Sequence, residues 1–281
     1  MLKISAYTSF IKLRLSILVL VSALSGYLFA GGDNYIILSY LLVGGFFITA
    51  ASNGANQIWE KELDKLMDRT KNRPLPTKKM NLTEAYIIVV FCFFIGLILL
   101  YQINIHSFIL GLLSFFSYVF LYTPLKKHTP WSVLIGAFPG AVPPMLGAIA
   151  HTNQFGLLPG VLFFVQFTWQ FPHFWAIAWV AYEDYQKAGF SLLPSKKGRS
   201  KDSAFQIMFY SLTLIPFSLL PWLMDWCGEI TLISASILGG LFFLYSYRLF
   251  ISCENKDAKK LMFASFAYLP IIQFIYVFDK L

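Results

Sequence analysis

The charges of this chain are confined to short clusters separated by long uncharged intervals. No Asp, Glu, Lys or Arg lies between Arg14 and Asp33, Asp33 and Glu60, Glu84 and Lys126, Lys127 and Glu183, Asp202 and Asp225, Glu229 and Arg248, or Lys260 and Asp279. A helix that crosses a bilayer needs about 20 apolar residues. Inside hydrocarbon, only helices and closed barrels satisfy their own backbone groups. Five of the intervals fit one such helix. Residues 85–125 fit two, parted at Gln102-Ile103-Asn104, and residues 128–182 fit two, parted at His151-Thr152-Asn153-Gln154. The expected fold is an all-α, polytopic membrane protein. It has nine transmembrane helices near 15–32, 35–57, 85–102, 107–123, 132–150, 157–181, 204–224, 230–247 and 261–278, in one domain over 1–281. Only 13% of the residues are charged, against about 25% in soluble domains.

The basic residues orient this bundle. Lys and Arg concentrate in cytoplasmic loops. With the N-terminus inside, 21 of the 22 fall in cytoplasmic segments: the N-terminus, 58–84, 126–127, 182–203 and 248–260. Only Lys280 falls outside. Moving one span would transfer whole basic loops across the membrane, so the expected topology is N-in/C-out. The net charge of +8 is then accounted for by anchoring beside anionic lipid, and no nucleic-acid partner is expected. The first apolar segment lacks a small-residue cleavage site and reads as span one. Cys92, Cys227 and Cys253 are far apart and read as packing residues.

Two expected cytoplasmic segments, 56–84 and 182–203, are long and polar, and chemistry is sought there. Asn56, Glu60 and Asp64 recur every four residues, which stacks them on one helix face. Such a row of oxygen donors suits Mg²⁺, which takes one or two carboxylates and completes its shell with phosphate and water. Arg69 and Arg73, again four apart, suit bidentate phosphate recognition. A solvated helix with Glu–Lys pairs is the competing reading of the charges alone. Lys61, Glu62 and Lys65 lie off the row and are expected to be solvated.

Tyr122 and Lys126, where the fourth span ends, are candidate donors to a leaving diphosphate; interfacial belt and snorkel roles compete. In the Gln170–Lys187 stretch, Glu183 and Asp184 are candidates for a second metal site facing the first. Gln170 and Lys187 are candidate substrate contacts. His173 is an intramembrane ionisable residue and so a functional candidate. Its competing role is a neutral histidine bonded to a neighbouring helix, with the carbonyl freed by Pro172 as one available partner. The fifth span carries Gly136, Pro139, Gly140, Pro143, Pro144 and Gly147. Either it packs closely or it leaves a pocket for a bulky apolar ligand.

The run Asn56-x3-Glu60-x3-Asp64-x2-Met67-x-Arg69-Thr70-x2-Arg73-Pro74-Leu75-Pro76 resembles the first motif of the UbiA-type intramembrane prenyltransferases, in the form of their protoheme IX farnesyltransferase (heme O synthase) branch. Tyr122-Thr123-Pro124-Leu125-Lys126, the span-five segment 135–144, Trp169–Trp175 and Glu183-Asp184-Tyr185-x2-Ala188-Gly189-Phe190 resemble further signatures of that branch. The resemblance implies a UbiA-like bundle and Mg²⁺-dependent transfer of the farnesyl group of farnesyl diphosphate to a vinyl group of heme b. It implies Asn56, Glu60 and Asp64 as the first metal site, with Glu183 and Asp184 as the second metal region. Arg69, Arg73 and Lys126 become diphosphate contacts, Tyr122 sits at the leaving group, and His173 is a feature of the heme branch. It also implies an inner-membrane enzyme with its active site on the cytoplasmic side, associated with heme A synthase or terminal-oxidase assembly. The sequence departs from the wider family in one respect: aspartates usually bracket the last motif, where Ala181 and Tyr185 stand here.

Competing functions remain at this point. A UbiA-type enzyme acting on a quinone precursor or a chlorin has the same motifs. A transporter requires charges embedded within helices and inverted repeats, whereas the charges here gather at helix ends. A non-enzymatic heme-handling protein accounts for His173 but not for the acid and arginine rows.

Overall fold

The computed structural model describes residues 2–281, and its regular structure is helical throughout. In chain order the helices are α1 (Leu2–Phe10), α2 (Leu13–Phe29), α3 (Tyr35–Asp64), α4 (Leu82–Ile103), α5 (Ile105–Phe116), a π-helical turn (Ser117–Tyr122), α6 (Thr123–Leu125), α7 (Ser132–Thr152), α8 (Leu157–Val180), α9 (Tyr182–Lys187), α10 (Lys201–Leu223), α11 (Glu229–Ser252) and α12 (Asn255–Phe278). The polar breaks expected at 102–104 and 151–154 fall between α4 and α5 and between α7 and α8. Asn104 serves both as C-cap of α4 and as N-cap of α5, its side chain accepting from the Ser107 amide at 2.7 Å.

The chain is a multi-pass membrane protein. Among the described residues, seven helical segments, with α5 through α6 as one, are long and apolar enough to cross a bilayer, and α1 with α2, bent by 45°, makes an eighth if the pair is one broken span. α8 is not among them. It reads as a span by its lack of charge, but Gln166, Gln170, Pro172, His173 and three tryptophans dilute its apolarity, and it is mostly buried within the bundle.

The bundle has two cores. One joins α8 to α10, α11 and α12; the other joins α2 to α3, α4 and α5. α7 packs on both α2 and α8, and α12 returns to α2, which closes the ring. The α2–α7 seam answers the question posed by the fifth span. A Cβ on Gly147 would lie 2.0 Å from the Ala23 carbonyl oxygen, and one on Gly26 2.0 Å from that of Pro144. These glycines let two backbones touch. The glycines of α7 therefore serve close packing.

The α1–α2 break is also pinned. Lys12 takes a left-handed backbone conformation (φ 50°), costly for a side chain with a Cβ. The carbonyls freed there are taken by amides of α3: Gln57 Nε2 donates to Phe10 O at 2.5 Å and Asn53 Nδ2 to Ile11 O at 3.3 Å. α3 thus fixes the entry of the chain at the turn where its polar row begins.

Candidate active site

α3 continues past its apolar part, so its last two turns carry Asn56, Glu60 and Asp64 into the bundle's charged end. All three are buried, at 2%, 3% and 0% exposure. A solvated helix would leave them in water, so the competing reading of the acid row fails. Glu62 and Lys65 are exposed and pair with each other at 2.6 Å, as expected for residues off the row.

The π-helical turn supplies the opposing wall. Pro124 has no N–H with which to continue the helical ladder, and π turns are often found at functional positions. The turn is closed by Thr123, whose hydroxyl donates to Tyr118 O at 2.8 Å. It directs Thr123 and Lys126 at α3. Asn56 Nδ2 donates to Thr123 Oγ1 at 3.2 Å, which commits the N–H side of the amide and reserves its Oδ1 as a donor to a cation. Lys126 Nζ donates to Glu60 Oε1 at 2.8 Å. It also lies 4.5 Å from the Tyr122 ring centre and 5.7 Å from that of Phe190. Tyr122 has room because Gly136 faces its ring, where a Cβ would come within 2.6 Å.

The two arginines part company. Residues 65–80 form turns, not a further helix, so the four-residue spacing of Arg69 and Arg73 places them on no common face. Arg73 Nη1 folds back onto Asp64, 2.8 Å from both carboxylate oxygens, and the Thr70 hydroxyl donates to Asp64 O at 2.9 Å. Arg69 goes the other way, to α9. Its Nη2 donates to the Tyr185 hydroxyl at 2.8 Å, and its guanidinium carbon lies 5.0 Å from that ring centre.

α9 is brought to the first motif by its acid. Asp184 accepts from the backbone N–H of Asp68 at 2.7 Å and of Arg69 at 3.0 Å. Lys187 pairs with Asp68 and, at 3.5 Å, with Asp184. Burial pushes the Asp184 carboxyl up, but the Arg69 and Asp68 amides with Lys187 outweigh it and leave it below the ordinary range. Glu183 points elsewhere. Both its oxygens are taken by Arg199, whose Nε also donates to Trp179 O at 2.7 Å at the end of α8. Beyond α9, the Ser191 amide donates to Lys126 O at 3.2 Å, so three chain segments meet at Lys126.

The structure thus joins Asn56, Glu60, Asp64, Arg73, Tyr122 and Lys126 in one buried cluster and Arg69, Asp184 and Lys187 in a second, adjoining one. Among the described residues, no three His, Cys, Asp or Glu side chains gather as a metal site. The expected facing pair, Glu183 and Asp184, is instead split between Arg199 and backbone amides. Gln170 is buried on α8, its Nε2 donating to Ala137 O at 2.8 Å while Gly140 packs on its amide; it ties α8 to α7. His173 stands apart on α8, stacked on Trp169 with ring centres 4.2 Å apart, and its Nδ1 meets Ser265 Oγ on α12 at 2.7 Å. The carbonyl freed by Pro172 is not its partner. The Ser265 hydroxyl also reaches Met262 O at 2.6 Å, so His173, Ser265 and the Met262 carbonyl form one hydrogen-bonded chain.

Sequence reasoning missed Thr123, Arg199, Ser265 and the role of Tyr185. It also took Lys12 only as an anchor, whereas Lys12 lies within charge-interaction range of Arg73, Lys126, Glu60 and Asp64. A lone polar residue has no spacing to betray it.

Residues 19–269 match the model of the UbiA prenyltransferase family. The chain belongs to that family. It is 47% identical to the protoheme IX farnesyltransferase of Cytophaga hutchinsonii, over 98% of either chain. It is 44% identical to the protoheme IX farnesyltransferase of Christiangramia forsetii, over 99% of this chain and 94% of that one. Its fold is shared with a digeranylgeranylglyceryl phosphate synthase, at a TM-score of 0.81 and 21% identity over 99% of both chains. It is also shared with a UbiA homolog from Archaeoglobus fulgidus bound to GPP and Mg²⁺, at a TM-score of 0.67 and 16% identity over 97% of this chain and 99% of that one. Family membership makes this chain a prenyltransferase of the membrane.

Proposed function

We propose that this chain transfers the farnesyl group of farnesyl diphosphate to a vinyl group of heme b, giving heme O and diphosphate. The observation that carries the reading is the buried row Asn56-Glu60-Asp64 facing Lys126 and Arg73: oxygen donors for a divalent cation beside cations for a diphosphate. The names of the full-length relatives supply the acceptor.

The site's own chemistry supports this. The donor set is all oxygen, with two carboxylates and one amide, which fits Mg²⁺ with substrate phosphate and water completing its shell. A bound Mg²⁺ neutralises charge on the leaving diphosphate. Lys126 and Arg73 exchange their carboxylates for diphosphate oxygens, and Tyr122 donates at the leaving oxygen. Such preorganised donors stabilise the charge that develops as the allylic C–O bond breaks. The electron pair leaves with the diphosphate. The vinyl π electrons of heme b then form the new C–C bond, and water adds to the resulting cation with loss of a proton. The rings of Tyr122, Tyr118 and Phe190 around this end of the bundle offer faces to positive charge.

In this reading residues 1–281 act as one domain with nine spans, N-in/C-out, including α8, in the inner membrane with the site on the cytoplasmic side. Glu183, Asp184, Lys187 and Gln170 become positioning residues, and His173 Nε2 is available to the heme. The product leaves for heme A synthase or a terminal oxidase under assembly. The test is to supply membranes containing the protein with heme b, farnesyl diphosphate and Mg²⁺ and to identify the hemes by mass spectrometry. Heme O formed only with metal is the expected result. Prenylation of a quinone precursor or chlorin instead would overturn the acceptor.

A further inference from the structure

The site has a second charged pole whose construction differs from the first. There, α9 offers Asp184 and Tyr185 toward the turn 65–73 while Glu183 points away to Arg199, and none of the three is arranged as a cation ligand. Glu183 lies on the surface, its side chain 70% exposed, and pairs with Arg199 away from the turn. The Asp184 oxygens each accept a backbone N–H of that turn. Tyr185 turns both its hydroxyl and its ring to a guanidinium. The donor set of this pole therefore does not fit a second divalent ion.

It does fit a fixed cation. Asp184 clamps the backbone of Asp68 and Arg69, Tyr185 receives one arm of the Arg69 fork, and the ring of Tyr185 lies under the guanidinium. A phenol, unlike a carboxylate, holds an arginine without cancelling its charge. The remaining N–H donors of the fork stay free for a planar or tetrahedral anion. Phe190 bridges the two poles, its ring centre 6.0 Å from that of Tyr185 and 5.7 Å from Lys126 Nζ, so Arg69 is held beside the first cluster.

We propose that Arg69, held by Tyr185 and Asp184, supplies at this pole the positive charge that a second divalent ion would carry, and that the enzyme uses one divalent ion, on the Asn56-Glu60-Asp64 row. The proposal rests on the diphosphate reading given above. Tyr185 is then a positioning residue for Arg69, and it stands where the wider family usually has an aspartate.

The test uses the full chain in detergent or nanodiscs, Mn²⁺ as the spectroscopic ion, and a farnesyl diphosphate analogue with sulfur for the ester oxygen. One Mn²⁺ per chain, with the electron paramagnetic resonance of an isolated ion, is expected. Two bound ions with a dipole-broadened spectrum would overturn the proposal and leave the diphosphate reading intact. A tightly bound analogue with no Mn²⁺ would overturn the metal reading itself. Tyr185→Leu should weaken analogue binding about tenfold, the loss of a hydrogen bond to a charged group together with its cation–π contact. Tyr185→Phe, which keeps the ring, should fall between Leu and the parent. In both variants the KM for farnesyl diphosphate should rise, the KM for heme b should hold, and the Mn²⁺ stoichiometry should stay at one. Unchanged analogue binding in both variants would remove Tyr185 from the site.

Discussion

Glu60 and Asp64 have side chains 4% and 0% exposed, and each meets one cation held by a separate segment of the chain, Lys126 and Arg73. Asp68 and Glu183 have side chains 63% and 70% exposed, and they meet Lys187 and Arg199 across the surface. The second pole has more ion pairs than the first, but they are of a weaker kind. A buried pair is weak evidence for stability as a pair, yet removing one member strands a charge at a cost of about 3–5 kcal/mol. An exposed pair is worth about 1 kcal/mol at most. The first pole is therefore committed: its charges must be met by each other or by a ligand of matching charge. The second pole is a fastening that holds a loop by many small contacts.

The largest test of this contrast is Asp64→Asn. It preserves shape and an acceptor for Arg73 but removes the charge that a metal requires. Turnover should fall by at least about 100-fold, the scale of losing one electrostatic element of an active site, while gel filtration still shows folded protein. Normal turnover would remove the row from the chemistry. Next is Lys126→Met, which leaves Glu60 buried without its cation. Stability in a detergent melt should drop by about 3–5 kcal/mol. Adding Glu60→Gln should restore most of the stability but none of the activity. If the double variant stays as unstable as the single, the pair is not the unit described here.

At the second pole, Arg199→Ala should cost about 1 kcal/mol, because the pair with Glu183 is exposed and the rest of the loss is the cap on the α8 carbonyls. A loss as large as that of Lys126→Met would erase the distinction between the poles. The smallest effect is in pH. Lys187, then Lys71, hold the Asp68 carboxyl down at about 2 from an ordinary 3.8. That contribution is complete above 3.8 and is lost only as pH falls through about 2. Asp68 raises the Lys187 ammonium above its ordinary 10.5, so its contribution is complete below 10.5 and is lost at higher pH. Tryptic cleavage of the 65–80 turn should therefore be constant from pH 6 to 9, once corrected for the protease. A break within that range would show that another group fastens the loop.

Much of this was legible in the chain. The helix positions follow from where charge is absent, since an uncompensated charge in hydrocarbon is prohibitive and the gaps have to match the bilayer. The row Asn56-Glu60-Asp64 follows from helical period alone. What was not legible concerns partners. Arg69 and Arg73 share a spacing, but the chain between them turns, so the spacing carried no geometry. Glu183 and Asp184 are neighbours, yet consecutive residues on a helix point about 100° apart, and each found a different partner. His173 found Ser265, 92 residues away.

The sequence by itself determined where this protein is apolar, that it is an all-helical membrane bundle, and which residues lie on one helix face. Those properties are local, set by backbone hydrogen bonding and the period of the helix. Only the tertiary structure decided that α7 uses its glycines for contact, that Lys126 and not a neighbour on α3 meets Glu60, and that a tyrosine holds Arg69. These depend on which helices become neighbours. That choice is made by shape and charge complementarity across the bundle, which no single segment contains.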